Sequence, residues 1–307
     1  MIAFITILID VLLPIFLLII IGFTVQKRFQ MNLGALAKLN IYVFIPAFIF
    51  AKFYKTTLNL RMFGYIVTFF LLYILALYLI AQVTSLFLHH DKAKATTLNN
   101  SVLFFNSGNY GAPVNDMVFK GDPVAMSVQV IVLTLQNLFT FTYGIFAIQS
   151  VQVGKLRALL GYLKMPILYA LVLAVVFNYG HLPVPDFAWT TIKYLSGAMI
   201  PIALLLLGGQ IAQFKFSFKW SSAYIYIIIR LIIGPVVAAL IIKILGFNGM
   251  IAQALFIASA MPTSVNSSVI AQEYDNYPEL AAQLVFLSTL LSTLTVVIVI
   301  YLSNIIF

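Results

Sequence analysis

Eight of the eleven prolines fall into four pairs, in the same order and at nearly one spacing. Pro14 and Pro166 lie 152 residues apart, Pro46 and Pro201 155, Pro123 and Pro278 155, and Pro113 and Pro262 149, close to half of the 307 residues. Proline fixes φ and removes a backbone donor, so its positions follow backbone need. The pairing is therefore the trace of an internal duplication. The halves also share an interruption. Phe105-Asn106-Ser107-Gly108-Asn109-Tyr110-Gly111-Ala112-Pro113 breaks one apolar stretch, and Ser259-Ala260-Met261-Pro262-Thr263-Ser264-Val265-Asn266-Ser267 breaks another.

Composition decides the solvent. Soluble domains carry about 25% charged residues; this chain carries 8%, with 63% hydrophobic residues. Such a chain cannot cover itself with water-compatible surface. In lipid, helices satisfy their own backbone hydrogen bonds, and each span takes roughly 20 apolar residues. The pattern predicts an all-α polytopic membrane protein of ten spans, at residues 2–26, 35–53, 62–88, 96–119, 122–149, 160–179, 190–212, 219–245, 249–273 and 277–305. Residues 1–150 form the first five-helix repeat and residues 151–307 the second. Five is odd, so the two repeats enter the membrane from opposite sides and the duplication is inverted.

No basic segment precedes the first apolar run, since the first lysine is Lys27, so no cleavable signal is expected. The odd-numbered loops hold ten basic residues (among them Lys27, Arg28, Lys92 and Lys94), and the even-numbered loops six (among them Lys52, Lys55 and Lys120). That bias predicts cytoplasmic odd loops and both termini outside. The net charge of +9 is scattered over short loops and gives no reason to invoke nucleic acid. Zero cysteines exclude disulfides, thiol catalysis and thiolate-bound metal. No cofactor is called for.

Polar residues at bilayer depth are costly unless paired or facing a cavity, which makes them functional candidates. Two broken spans at corresponding places in two repeats point to a transporter's binding site. In the first break Asn106, Ser107 and Asn109 offer neutral donors and acceptors. Gly108 and Gly111 permit unusual backbone angles and close approach, and Pro113 ends regular helix. In the second, Pro262 makes the break, with Thr263, Ser264 and Asn266 beside it. Half-helices starting at such breaks present free N–H groups and about half a positive charge, a site for an anion. Gln129, Gln136 and Asn137 lie inside the fifth span and Ser288, Thr289, Ser292 and Thr293 inside the tenth, with Asn137 about one repeat before Ser288. These could line the site, bind a coupling ion, or bond between helices. Asp10 and Asp116 are placed within spans away from the acidic cytoplasmic turn of Glu273, Asp275 and Glu279, and are the candidates for carrying a proton. Arg230 either attracts an anion or anchors a neighbouring helix. Gly208-Gly209 suit close helix packing. No clustered acids and histidines suggest a metal.

The stretches NIYVFIPAFIF (Asn40 to Phe50), NSGNYGAP (Asn106 to Pro113) and ASAMPTSVNSSVIAQEYDNYPELAAQLVFLSTLLS (Ala258 to Ser292) resemble the auxin efflux carrier family. That family includes plant auxin exporters and bacterial malate or malonate permeases, and is related in fold to bile-acid sodium symporters. The similarity extends over essentially the whole chain. It implies ten spans in two inverted repeats, broken fourth and ninth helices that cross, and elevator-type alternating access. It also implies a site residue at Asn106 and crossover prolines at Pro113 and Pro262. The chain lacks the long cytoplasmic loop of many plant members. It also lacks an acidic residue beside the ninth-span break, which the bile-acid symporters use for sodium. The resulting expectation is a secondary transporter of a small organic anion in the plasma membrane. The expected partners are that anion and the bilayer, with a homodimer left open. Sodium-coupled symport and a passive channel are the alternatives; no enzyme constellation is present.

Overall fold

The computed structural model describes residues 9, 13–55, 60–148, 166–213 and 222–307. The described chain is helical, in twelve pieces that fall on the apolar segments. They are α1 (Leu13–Phe29), α2 (Leu33–Tyr54), α3 (Leu60–Phe87), α4 (Lys92–Leu103) and α5 (Ser107–Gly111 running on as Ala112–Val118). Then come α6 (Pro123–Phe139 continued to Ile148), α7 (Pro166–Tyr179), α8 (Asp186–Gln213) and α9 (Ala223–Ile244). The last three are α10 (Gly249–Ser259), α11 (Val265–Glu273) and α12 (Pro278–Ile306). Among the described residues five helices are long and apolar enough to cross a membrane: α2, α3, α8, α9 and α12. Leu71, Leu75, Leu79, Leu240 and Leu294 stand exposed on α3, α9 and α12, as befits side chains solvated by lipid.

Among the described helices, Asn40–Phe44, Ser107–Gly111, Thr140–Gly144 and Ile229–Ile233 widen into π-type turns. Three of them run directly into a proline, at Pro46, Pro113 and Pro235. Proline cannot donate to the carbonyl four residues back and its ring crowds it. The helix answers by reaching one residue further, as in Ile45 N–H to Asn40 O, Gly111 N–H to Asn106 O and Gly234 N–H to Ile229 O. Such bulges recur at functional sites.

The helices pack in two groups. α8 lies along α1 and α2, and α7 along α2. The other group holds α3 to α6 and α9 to α12. The groups meet where α2 packs on α6 and α8 on α5. Glycines set the α1–α8 approach. A methyl added at Gly22 would sit 2.1 Å from the Leu205 carbonyl oxygen, and one at Gly208 1.9 Å from that of Ile19. Small residues let helix backbones touch in this way. Gly209 faces the Leu33 side chain. Asp10 lies outside the described residues.

Candidate functional site

Two helices break at facing points. After α4 the chain leaves helical geometry at Phe104, and Asn106 starts α5. After α10 it is extended through Pro262 and Thr263 until Ser264 starts α11. The gaps run antiparallel and bridge at Phe105 and Thr263. The Asn106 amide donates to Pro262 O at 2.8 Å, and the Ser264 amide to Phe104 O at 2.6 Å. Four helix ends therefore meet at one place: the C-termini of α4 and α10 and the N-termini of α5 and α11.

Both N-termini are capped by their own break. Asn106 Oδ1 accepts from the Asn109 amide at 3.1 Å. Ser264 Oγ accepts from the Asn266 amide at 3.2 Å. A side-chain oxygen there satisfies one of the free amides that open a helix.

A cavity of about 80 Å³ opens beside these caps, room for a few waters or a small anion. Of the residues singled out by sequence, Asn106, Ser107, Gly108, Asn109, Gln136, Asn137, Ser264 and Asn266 line it. Asn40 and Thr140 line it too; each opens one of the wide turns of α2 and α6. The lining carries amides and hydroxyls and no charged side chain. Asn40 Nδ2 donates to Asn109 Oδ1 at 3.3 Å. Gln136 Nε2 donates to Leu103 O and to Thr140 Oγ1, each at 3.2 Å. Asn106 is 4% exposed, and its Nδ2 has no hydrogen-bond partner among the described residues.

The other candidates sit elsewhere. Thr263 is committed to the crossing: its hydroxyl donates to Ser101 O at 2.8 Å and its amide to Ser288 Oγ at 3.1 Å. Ser288 and Thr289 also donate to Val285 O within their own helix. Asp116, at the far end of α5, pairs with Lys52 at 2.9 Å. Pro262 lies in the crossing itself. Pro113 lies past the wide turn, inside α5. Gly108 and Gly111 do not have the positive φ that would make glycine necessary for its backbone angle. Their use is space: a methyl on Gly111 would stand 2.8 Å from Gln129 Nε2, which donates to Ser107 O at 2.7 Å. Asn115 Nδ2 donates in turn to Gln129 Oε1, fixing that amide.

Arg230 answers the question its sequence position left open. It is fully buried, and its guanidinium bonds to backbone at the ends of α4 and α10 rather than lining the cavity.

Residues 155–300 match the family described as membrane transport protein. An uncharacterized transporter of Methanothermobacter thermautotrophicus is 29% identical over 204 residues, 66% of either chain. Another, of Methanocaldococcus jannaschii, is 24% identical over 303 residues, 94% of this chain and 96% of its own. The uncharacterized transporter YfdV of Escherichia coli is 26% identical over 207 residues, 65% of either chain. The helical, lipid-suited fold and these matches support a membrane transporter. The second half of the chain is thus similar to the family described as membrane transport protein, and the relatives it resembles are described as transporters.

Proposed function

We propose that the protein is a secondary transporter that moves a small organic anion, a mono- or dicarboxylate or an auxin-like acid, across the plasma membrane. Its substrate sits in the cavity at the crossing of the fourth and ninth spans. One observation carries this reading: the unpartnered Asn106 Nδ2, on a residue that lines a cavity facing two helix N-termini. An anion there meets the positive ends of two helices, and its binding would pair the orphaned donor.

The reading includes ten spans in two inverted repeats, residues 1–150 and 151–307, with both termini outside. In that frame α1, α2, α7 and α8 are the scaffold, and the other eight pieces are the moving body. The division of packing into two groups supports this assignment, and the crossing lies wholly within the moving body, as an elevator needs. Asn106, Ser107, Asn109, Asn137, Ser264 and Asn266 are the substrate ligands. Thr263, Ser288 and Thr289 serve as the frame behind the second break. Transport is sodium-independent on this reading, because no carboxylate stands in the lining to offset a bound cation. The test is uptake into proteoliposomes with sodium replaced by choline: unchanged saturable flux is expected, and flux lost on replacement and restored by sodium would install the sodium-coupled alternative.

A further inference from the structure

Arg230 brings a full positive charge to the middle of the molecule. It is 0% exposed and lies in the wide turn Ile229–Ile233 of α9. Among the described residues no carboxylate pairs with it; the one ion pair there joins Lys52 and Asp116. Its partners are backbone and phenol oxygens. Nη1 donates to Val102 O at 2.8 Å, and Nη2 donates to Ser259 O and to the Tyr73 hydroxyl. The Tyr73 hydroxyl donates onward to Ser259 O at 3.0 Å. The ring of Phe105, the bridging residue, stands 5.0 Å from the guanidinium carbon, and that of Tyr73 5.6 Å.

Val102 and Ser259 are in the last turns of α4 and α10. Those turns leave carbonyls without helical partners and carry about half a negative charge each. The seat is therefore one that suits a cation: two helix C-termini, a phenol oxygen and two aromatic faces. A planar fork with five donors can serve both carbonyls and the phenol oxygen at once.

We infer that the Arg230 guanidinium is the resident cation of the crossing, a tethered charge that occupies a carbonyl seat and leaves the opposite N-termini free to hold an anion. The two C-termini would otherwise cancel the field of the two N-termini a few residues away. With the arginine in place an anion loads without a co-bound inorganic cation. This last step rests on the anion-transport reading; the seat itself does not.

The experiment empties the seat and refills it. Arg230→Ala, Arg230→Gln and Arg230→Lys are made in the full chain. Glutamine keeps one donor and much of the volume, so the test does not hang on the alanine variant surviving. In the first arm, thermal unfolding of the purified proteins is followed with dilute guanidinium chloride, with urea and sodium chloride at equal concentration as controls. The alanine and glutamine variants should gain a saturable rise in Tm with guanidinium alone, and wild type and Arg230→Lys should gain none. In the second arm, organic-anion uptake should fall at least about tenfold in the emptied variants, a coupling of 1.4 kcal/mol, and return with guanidinium. Wild type should ignore the exchange of sodium and potassium for choline. Folded, emptied variants that neither bind guanidinium nor change in uptake would overturn the proposal. So would a loss of uptake that guanidinium fails to restore while wild type proves cation-dependent. A positive thermal arm in a protein that carries no organic anion would leave the resident cation standing and remove the transport reading alone.

Discussion

Replacing Asn106 by aspartate separates the two tasks of that side chain. Its Oδ1 caps α5 through the Asn109 amide at 3.1 Å, and its Nδ2 is the donor left for a ligand. Aspartate caps as well as asparagine, and the positive end of the helix supports the carboxylate, so Tm should stay close to that of wild type. Binding should not survive. A carboxylate about 4 Å from a bound anion repels it by about 4 kcal/mol at an effective dielectric of 20, roughly a thousandfold in affinity. Asn106→Ala removes only the donor and the cap, so it should weaken binding by about 1–3 kcal/mol and lower stability by about 1 kcal/mol. The assay is counterflow of a labelled carboxylate in proteoliposomes, paired with thermal unfolding. Acidification should narrow the gap between Asn106→Asp and wild type, because a protonated carboxyl donates again where the amide did. Wild-type affinity in Asn106→Asp at neutral pH would refute the placement of the anion. So would an alanine variant that loses more transport than the aspartate.

Further outcomes follow from the packing and the loops. Gly208→Val would drive a side chain into the Ile19 backbone, where a first carbon already meets oxygen at 1.9 Å; neither backbone can yield cheaply, and thermal unfolding should register a loss of at least about 3 kcal/mol. Asp116→Asn removes the Lys52 pair, whose side chains are 26% and 22% exposed and which ties α5 to α2 across the two helix groups. A pair of that kind is worth about 0.2–1 kcal/mol, so initial uptake rates should rise by up to about fivefold with affinity unchanged, less so at high salt. The Asp91 carboxylate caps α4 and is held below its ordinary range, first by the Lys94 amide and further by the Tyr277 hydroxyl. A lowered folded pKa contributes stability above the unfolded value that is lost as the pH falls through the folded one. Asp91→Ala should therefore show a smaller fall in Tm on acidification than wild type.

The prolines made the two breaks legible because a missing N–H leaves a mark at any depth in a helix. The small polar residues beside them read as a group, and Asn106, Ser107, Asn109, Asn137, Ser264 and Asn266 do share one cavity. Asn40 and Thr140 went unread as lining residues: a single polar residue in an apolar helix gives no direction until the local turn is known, and both sit where the turn is wide. The run toward Pro46 was the available sign for Asn40. The roles given to Gly108 and Gly111 were half right, since they supply space for Gln129 and Leu133 side chains and not unusual backbone angles. Thr263 looked like a ligand because a hydroxyl beside a break usually is free, yet the antiparallel bridge turns it toward Ser101. Two of the three partners of Arg230 are backbone carbonyls and the third is the distant Tyr73 hydroxyl, which no local pattern of side chains encodes.

The most direct test of the account is counterflow with purified protein. Vesicles loaded with unlabelled carboxylate, and empty vesicles, are offered the labelled compound, with wild type and Asn106→Asp in parallel. A carrier with its anion site at the crossing predicts saturable uptake that preloading accelerates in wild type and that the substitution abolishes. Uptake that rises linearly with concentration and is indifferent to preloading, or that persists unchanged in Asn106→Asp, would contradict it.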